Sequence, residues 1–276
     1  MTGVHCAVVG SPITHSRSPV LHRAAYAALG LTGWTYDKVE LQAEELPGWL
    51  AGLDESWRGI SVTMPGKAKA FGCADDASEL AIMLGAANTL VRTDRGWRAD
   101  NTDVAGLVGA LAEGGVDSGP AVGVATVVGA GGTAAAAVAA LANLGYSQVD
   151  VVVRNPGRAR GLVTLAERLG LAAQLHAWPG DHALGASLVI STVPAPATGD
   201  LLGHRWRVGQ TVLDVSYDPW PSRLVEAAVG GGALAVGGAA VLLWQAAGQV
   251  ELMTGHRAPV DAMREALLPG GTLAPA

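Results

Sequence analysis

Cysteine and charge are both scarce in this sequence, and each scarcity excludes a class of protein. The 276 residues include only two cysteines, Cys6 and Cys73. Two are too few for a disulfide framework, and small, partly buried thiols are expected instead. Charged residues make up 15% of the chain and the net charge is −6. Such a balance gives no attraction to nucleic-acid phosphates, so no nucleic-acid partner is expected. The sequence also suggests no metal site.

Uninterrupted apolar runs long enough for a membrane span are lacking too. Residues 118–149 and 227–250 are uncharged, but glycines interrupt both stretches and Gln245 lies in the second. These interruptions favour strands, turns and helices over membrane spans. Residues 1–9 show no basic segment followed by an apolar stretch and a cleavage site, so no secretory signal is expected. The expectation is a cytoplasmic protein with no membrane partner.

Length and pattern predict two α/β domains. Half of the residues are hydrophobic, and the length favours about two domains. In the first hundred residues, predicted strands (near 5–10, 34–40 and 59–63) alternate with predicted helices (near 19–29, 43–52 and 67–71). This alternation is typical of a mostly parallel, layered sheet. A turn-rich break at residues 114–120 follows a predicted helix at 104–113, and it separates a first domain, residues 1–104, from a second, residues 105–239.

A glycine turn opens the second domain. A β-branched run at residues 122–128 precedes Gly129-Ala130-Gly131-Gly132-Thr133-Ala134, and a helix to about residue 144 and a strand at 149–153 follow. This spacing, G-x-G-x-x-A between a strand and a helix, is typical of dinucleotide binding, because Gly131 lets the backbone approach a pyrophosphate. An ordinary glycine-rich loop is the alternative. Further strands near 187–191 and 211–215 predict a doubly wound, Rossmann-like sheet.

The end of the second strand of this domain indicates which dinucleotide binds. An Asp or Glu there usually accepts from the ribose hydroxyls of NAD. This strand instead continues into Arg154, Asn155 and Arg158, with no acid. Guanidinium groups clamp phosphates well, so the pattern favours NADP. The alternative is that both arginines are solvated surface charges.

Four segments of the first domain, in order ahead of this turn, resemble the shikimate dehydrogenase family, and the resemblance extends over nearly the whole chain. They are Ser16-Arg17-Ser18-Pro19, Ser61-Val62-Thr63-Met64-Pro65-Gly66-Lys67, Gly85-Ala86-Ala87-Asn88-Thr89-Leu90 and Asp100-Asn101-Thr102-Asp103. Two later segments extend the match, around Tyr217 and around Gln245. The chain departs from the family at Ser61 and Val153, where asparagines are usual, and at Gly237, where an aspartate is common.

The resemblance implies a role for each of these residues. Ser16 and Ser18 would donate to the substrate carboxylate, as would Tyr217. Ser61, Thr63, Lys67, Asn88, Asp103 and Gln245 would contact the hydroxylated ring. Thr192, Val215 and Gly238 would contact the nicotinamide half of the cofactor. The C-terminal helices, residues 240–276, would return to the first domain and complete it. Simpler alternatives are that Ser18 caps a helix and that Asn88 is a turn residue.

Lys67 and Asp103 are the predicted proton-transfer pair. Removing hydride from a carbinol carbon makes the oxygen's proton acidic, and an amine oriented by a carboxylate can take or return that proton. The alternatives are a solvated surface lysine and an aspartate that only complements a helix dipole.

The resemblance thus implies an NADP-dependent shikimate dehydrogenase of aromatic amino-acid (chorismate) biosynthesis, acting on a small-molecule substrate as a monomer or homodimer. An NAD-dependent quinate or shikimate dehydrogenase and a non-catalytic nucleotide-sensing module are the alternatives.

Overall fold

A computed structural model describes residues 3–116 and 123–267 of the chain. Its strands, in chain order, are β1 (Val4–Gly10), β2 (Trp34–Glu40), β3 (Trp57–Val62), β4 (Asp76–Ala77), β5 (Thr89–Thr93), β6 (Gly96–Asp100), β7 (Val124–Val128), β8 (Gln148–Val153), β9 (Ala172–Ala177), β10 (Leu188–Ser191), β11 (Thr211–Asp214) and β12 (Leu234–Gly237). Its α-helices are α1 (Ser18–Ala28), α2 (Leu46–Ala51), α3 (Lys67–Gly72), α4 (Glu79–Leu84), α5 (Asp103–Glu113), α6 (Gly132–Asn143), α7 (Arg160–Arg168), α8 (Arg223–Gly230), α9 (Gly238–Thr254) and α10 (Val260–Leu267). Short 3-10 helices lie at Ala43–Glu45, Pro156–Ala159, Ala183–Gly185 and Ala195–Leu201.

The described residues form two compact units. The first comprises those of Met1–Asp103 and Leu242–Gly271, and the second comprises those of Val104–Val241. The predicted break between the domains runs into residues 117–122, which lie outside the described part of the chain. None of the described helices is long and apolar enough to cross a membrane.

The first unit contains a mixed six-stranded sheet in the order β2-β1-β3-β5-β6-β4. β1 pairs in parallel with β2 and with β3, whereas β5 pairs antiparallel with both β3 and β6. β1 and β3 are buried along most of their length, as expected for central strands of a sheet whose two faces are both covered. One apolar cluster includes Ile60, Leu90 and Trp97, and another includes Cys6, Tyr36 and Met253 of α9.

α10 and most of α9, from Leu242 onward, belong to the first unit, as predicted, whereas residues 238–241 of α9 belong to the second. α10 packs against α1, and the Arg17 guanidinium donates to the carbonyl oxygen of Leu267 at 3.3 Å. The described part of the predicted segment ends at that residue.

The second unit contains a parallel six-stranded sheet in the order β12-β11-β10-β7-β8-β9. This order reverses direction between β7 and β10, which is the switch point of a doubly wound fold. The predicted Rossmann-like sheet is therefore confirmed. An apolar cluster that includes Val128, Val189 and Leu224 packs on it.

Candidate active site

Lys67 and Asp103 are side by side in the first unit, although 36 positions separate them in the chain. Each is the first residue of a helix, α3 and α5 respectively. The Lys67 Nζ donates to Asp103 Oδ2, and only 18% and 11% of the two side chains are exposed. Because shielding from water strengthens the attraction between opposite charges, the pair is held more firmly than a surface ion pair. Neither residue is a free surface charge.

Asn88 fixes the other oxygen of the Asp103 carboxylate. Its Nδ2 donates to Asp103 Oδ1 at 2.8 Å and to Thr102 Oγ1 at 2.9 Å, and its Oδ1 accepts from the backbone N–H of Thr102 at 2.8 Å. That backbone group can only donate, which settles the orientation of the amide. Asn88 is 1% exposed and immediately precedes β5. It therefore holds the catalytic candidates in place beyond any role in the turn.

Gln245 reaches the same cluster from α9. Its Oε1 accepts from Asn88 Nδ2 at 3.4 Å, and its Nε2 donates to the carbonyl oxygen of Leu242 at 3.0 Å. The structure thus brings together the two polar residues that the sequence predicted from opposite ends of the first unit.

Ser61 is engaged inside the protein. It is 3% exposed; its hydroxyl accepts from Tyr36 at 2.5 Å and donates to Gln249 Oε1 at 2.8 Å. A contact between Ser61 and substrate stays a prediction. In this structure the Ser61 hydroxyl already donates its proton to Gln249.

The predicted carboxylate-binding serines lie where β1 ends and α1 begins. Ser16 Oγ accepts from the backbone N–H of Ser18 at 3.4 Å, and Ser18 is 5% exposed. The helix-cap alternative for Ser18 does not hold, because Arg17 occupies the N-cap position and no side chain caps the helix. Thr63 follows β3, whose carboxyl end shares an edge of the sheet with that of β1. Ligands commonly bind at such an edge.

The predicted cofactor turn lines a cavity of about 540 Å³ in the second unit. Gly129 has φ +116°, and a Cβ there would lie 2.4 Å from Thr192 Oγ1. Gly131 faces open space, and α6 begins directly after it with no side-chain cap and no acidic residue in its first turn. The first N–H groups of α6 are therefore free to bind an anion. Thr133 and the fully buried Ala134 continue this helix, and Ala130 lines the cavity.

Arg154 stands at the end of β8 on the wall of this cavity. Its guanidinium lies 4.9 Å from the centre of the Trp178 ring and donates to the carbonyl oxygen of Ala197 at 3.2 Å. The Trp178 Nε1 in turn donates to Asp200 at 2.6 Å. Among the described residues that line the cavity, none carries a carboxylate.

The remaining predicted cofactor residues lie around the same edge of the second sheet. Asn155 lines the cavity, and its Oδ1 accepts from the backbone N–H of Gly157 at 3.0 Å. The side chain of Arg158 lies outside the described part of the chain. Thr192 donates to the carbonyl oxygen of Val128 at 2.8 Å. A Cβ on Gly238 would lie 2.2 Å from the carbonyl oxygen of Val215, so only glycine fits there. Tyr217 is half-buried in the segment after β11.

The sequence did not predict two residues that support these sites. Trp178 supports Arg154, and Gln249 contacts Ser61 and Asn88. Gln249 follows Gln245 by four positions on one helix, a spacing that places both side chains on the same face and that could have revealed it.

Fold and site together are those of an α/β oxidoreductase built from two units. A family model described as "Shikimate dehydrogenase substrate binding domain" matches residues 8–90. A second, described as "Shikimate 5'-dehydrogenase C-terminal domain", matches residues 238–268.

Individual relatives agree with these models. A shikimate dehydrogenase (NADP(+)) of Rubrobacter xylanophilus is 38% identical over 276 residues, which cover 94% of each chain. The crystal structure of Mycobacterium tuberculosis shikimate dehydrogenase is 46% identical, with a TM-score of 0.85 over 96% of this chain and 98% of that one. A Thermus thermophilus shikimate 5-dehydrogenase in complex with NADP(H) and shikimate is 32% identical, with a TM-score of 0.80 over 96% and 98%. The chain belongs to the shikimate dehydrogenase family.

Proposed function

We propose that this chain catalyses the reversible, NADP-dependent reduction of 3-dehydroshikimate to shikimate, a step in aromatic amino-acid biosynthesis by way of chorismate. The observation that carries the proposal is the shielded Lys67–Asp103 pair, whose carboxylate is held on its second oxygen by Asn88. Lys67 Nζ and both carboxylate oxygens of Asp103 are thus held by hydrogen bonds.

Lys67 carries the proton in this proposal. Bound NADP+ would supply the acceptor for the hydride of the carbinol carbon of shikimate. Lys67 as a neutral amine takes the hydroxyl proton during oxidation, and as an ammonium it returns that proton during reduction. Asp103 orients the Lys67 Nζ through the bond to Oδ2. Asn88 keeps the carboxylate from rotating by donating to Oδ1.

The proposed substrate contacts are those that the resemblance to the family implies. Ser16, Ser18 and Tyr217 donate to the substrate carboxylate in the proposal. Thr63 and Gln245 contact the ring hydroxyls, which need both donors and acceptors. Residues 1–104 with 240–276 handle the substrate, and residues 105–239 handle the cofactor.

The residues of the second unit fit NADP. The open space at Gly131 and the uncapped start of α6 suit a pyrophosphate. Arg154 offers a fork of donors to a 2′-phosphate. The cavity wall presents no described carboxylate that would repel that phosphate or accept from a ribose hydroxyl. Thr192, Val215 and Gly238 are proposed to contact the nicotinamide half.

A cytoplasmic location and a monomer or homodimer as the active species complete the proposal. Cell fractionation and sedimentation of the purified chain test these two points. Membrane association or a larger assembly would contradict them.

The test is an absorbance assay at the reduced-nicotinamide band, with shikimate and quinate each paired with NADP and with NAD. Fastest turnover with shikimate and NADP is expected. Faster turnover with NAD would favour the catabolic quinate or shikimate dehydrogenase, which Arg154 argues against. No turnover with any ring hydroxy acid, despite NADP binding, would favour a non-catalytic nucleotide sensor.

A further inference from the structure

Gln249 forms the centre of a buried network of hydrogen bonds that ends at the candidate catalytic pair. It lies one turn after Gln245 on α9 and is 2% exposed. Its Nε2 donates to the backbone carbonyl oxygen of Asn88 at 3.0 Å and to Thr89 Oγ1 at 3.2 Å. Its Oε1 accepts from Ser61 at 2.8 Å and lies 3.4 Å from His22 Nε2. The side-chain amide of Gln249 therefore has a partner on each side.

The direction of every hydrogen bond in this network is determined. A backbone carbonyl can only accept, so the Gln249 atom that faces Asn88 is the nitrogen. The oxygen then accepts from Ser61, whose own hydroxyl accepts from Tyr36. His22 is neutral, since burial lowers its pKa to about 3, and it donates from Nε2. Donors and acceptors alternate without a conflict, which fixes the geometry and lets neighbouring bonds strengthen one another.

This network of hydrogen bonds holds Asn88 at two points. Gln249 holds its backbone carbonyl directly. Thr89, whose hydroxyl accepts from Gln249, donates to Asn88 Oδ1 at 2.7 Å. The other end of that amide lies 2.8 Å from Asp103 Oδ1. The backbone and the side chain of Asn88 are thus fixed with respect to the carboxylate that orients Lys67.

We infer that Gln249 is a positioning residue of the reaction proposed above, acting through Asn88 to hold Asp103 and Lys67 in their working arrangement. The inference rests on the proposed function for its kinetic consequence but not for its structural one. Ser61 supports Gln249 from the far side by donating to its Oε1.

The test compares two buried glutamines. Gln249→Leu removes the amide but keeps most of its volume. Gln210→Leu is the matched control, because Gln210 is also 2% exposed and its side chain makes three bonds to backbone groups of the second unit. Both variants should lose stability, since both remove a satisfied buried amide.

Only Gln249→Leu should disturb the site. We expect its kcat with shikimate to fall about tenfold while the KM for NADP stays within about twofold, as for a lost transition-state contact. Gln210→Leu should keep kcat within about twofold. Equal kcat in the two variants would overturn the inference.

A readout that does not depend on turnover separates this inference from the proposed function. Hydrogen exchange of the Asn88 side-chain amide, followed by ¹⁵N NMR, should be slow in the wild type and in Gln210→Leu and about tenfold faster or more in Gln249→Leu. Unchanged exchange in Gln249→Leu would refute the positioning role even if the enzyme proves active. Faster exchange in Gln249→Leu, together with a wild-type chain that turns over no substrate, would support the positioning role and sink only the proposed function.

A smaller perturbation covers the case in which Gln249→Leu does not fold. Thr89→Val removes the hydroxyl that joins Gln249 to Asn88 Oδ1 and keeps the side-chain shape, whereas Thr89→Ser keeps the hydroxyl. The valine variant should speed exchange of the Asn88 amide and lower kcat, and the serine variant should restore both. Loss of activity in both Thr89 variants alike, with exchange unchanged, would contradict the inference.

Discussion

His22 should make the stability of the first unit depend on pH in a way that one substitution removes. Burial among Tyr26, Tyr36 and Gln249 lowers the pKa of His22 from 6.5 to about 3. The unfolded chain binds this proton near the ordinary value, and the folded chain does not. Unfolding therefore takes up a proton below about pH 6.5, and stability falls as the pH falls.

The magnitude follows from the two pKa values. Lowering the pH from about 7.5 to about 5.0 should cost about 2 kcal/mol through His22 alone, since each unit of pKa difference corresponds to about 1.4 kcal/mol. His22→Phe keeps an aromatic ring against Tyr36, whose ring centre lies 3.9 Å from that of His22, and it has no proton to bind. The variant loses the hydrogen bonds at both pH values and so should be less stable throughout. The free energy of unfolding of this variant should change by about 2 kcal/mol less than that of the wild type between the two pH values.

Hydrogen exchange of the backbone amides of β1, corrected for the intrinsic rate at each pH, measures the opening free energy of this unit. All other titrating groups are common to the two proteins, so their effects cancel in the difference. The opening free energies of the wild type and of His22→Phe could instead run parallel with pH, their difference changing by less than about 0.5 kcal/mol. That result would show that His22 is charged or hydrated in the folded state.

Three further substitutions have distinct expected effects. Arg154→Ala should raise the Kd of NADP by about 10- to 100-fold and that of NAD by less than about threefold in calorimetric titrations, because only NADP has the 2′-phosphate; equal weakening would refute this role. Gly129→Ala should weaken NADP about tenfold or more, since the site has positive φ and a Cβ would meet Thr192 Oγ1 at 2.4 Å; unchanged binding would place the cofactor elsewhere. In Gly10→Ala a Cβ would lie 2.4 Å from Thr63 Cγ2, and the KM for shikimate should rise about threefold or more while that for NADP stays constant in steady-state assays; a change confined to NADP would contradict the placement of Thr63.

Strongly patterned elements could be predicted from the sequence, and elements that depend on a neighbour could not. The predicted strand at 34–40 coincides with β2, and the glycine turn lies between β7 and α6 as expected. The β5–β6 hairpin was missed because its strands carry charged residues such as Arg92 and Arg98, and its turn depends on Gly96 with φ +113°. β9 reads Ala-Ala-Gln-Leu-His-Ala, a composition with no strand preference, and pairing with β8 makes it a strand.

The site divides in a similar way. Lys67, Asn88 and Asp103 could be predicted because short motifs place each of them, and the structure brings them together. The supporting residues could not be predicted from motifs, because their roles depend on distant contacts. Gln249 meets Asn88 across 161 positions of the chain, and Trp178 meets Arg154 only because β9 pairs beside β8.

The most direct test of the central claim compares two lysines on one helix. Lys67 pairs with Asp103, and Lys69, two residues further along α3, is exposed. With shikimate and NADP, Lys67→Ala should lower kcat by about 10² to 10⁴ while the Kd of shikimate changes much less, and Lys69→Ala should match the wild type. An unchanged kcat in Lys67→Ala, or an equal loss in both variants, would contradict proton transfer by Lys67.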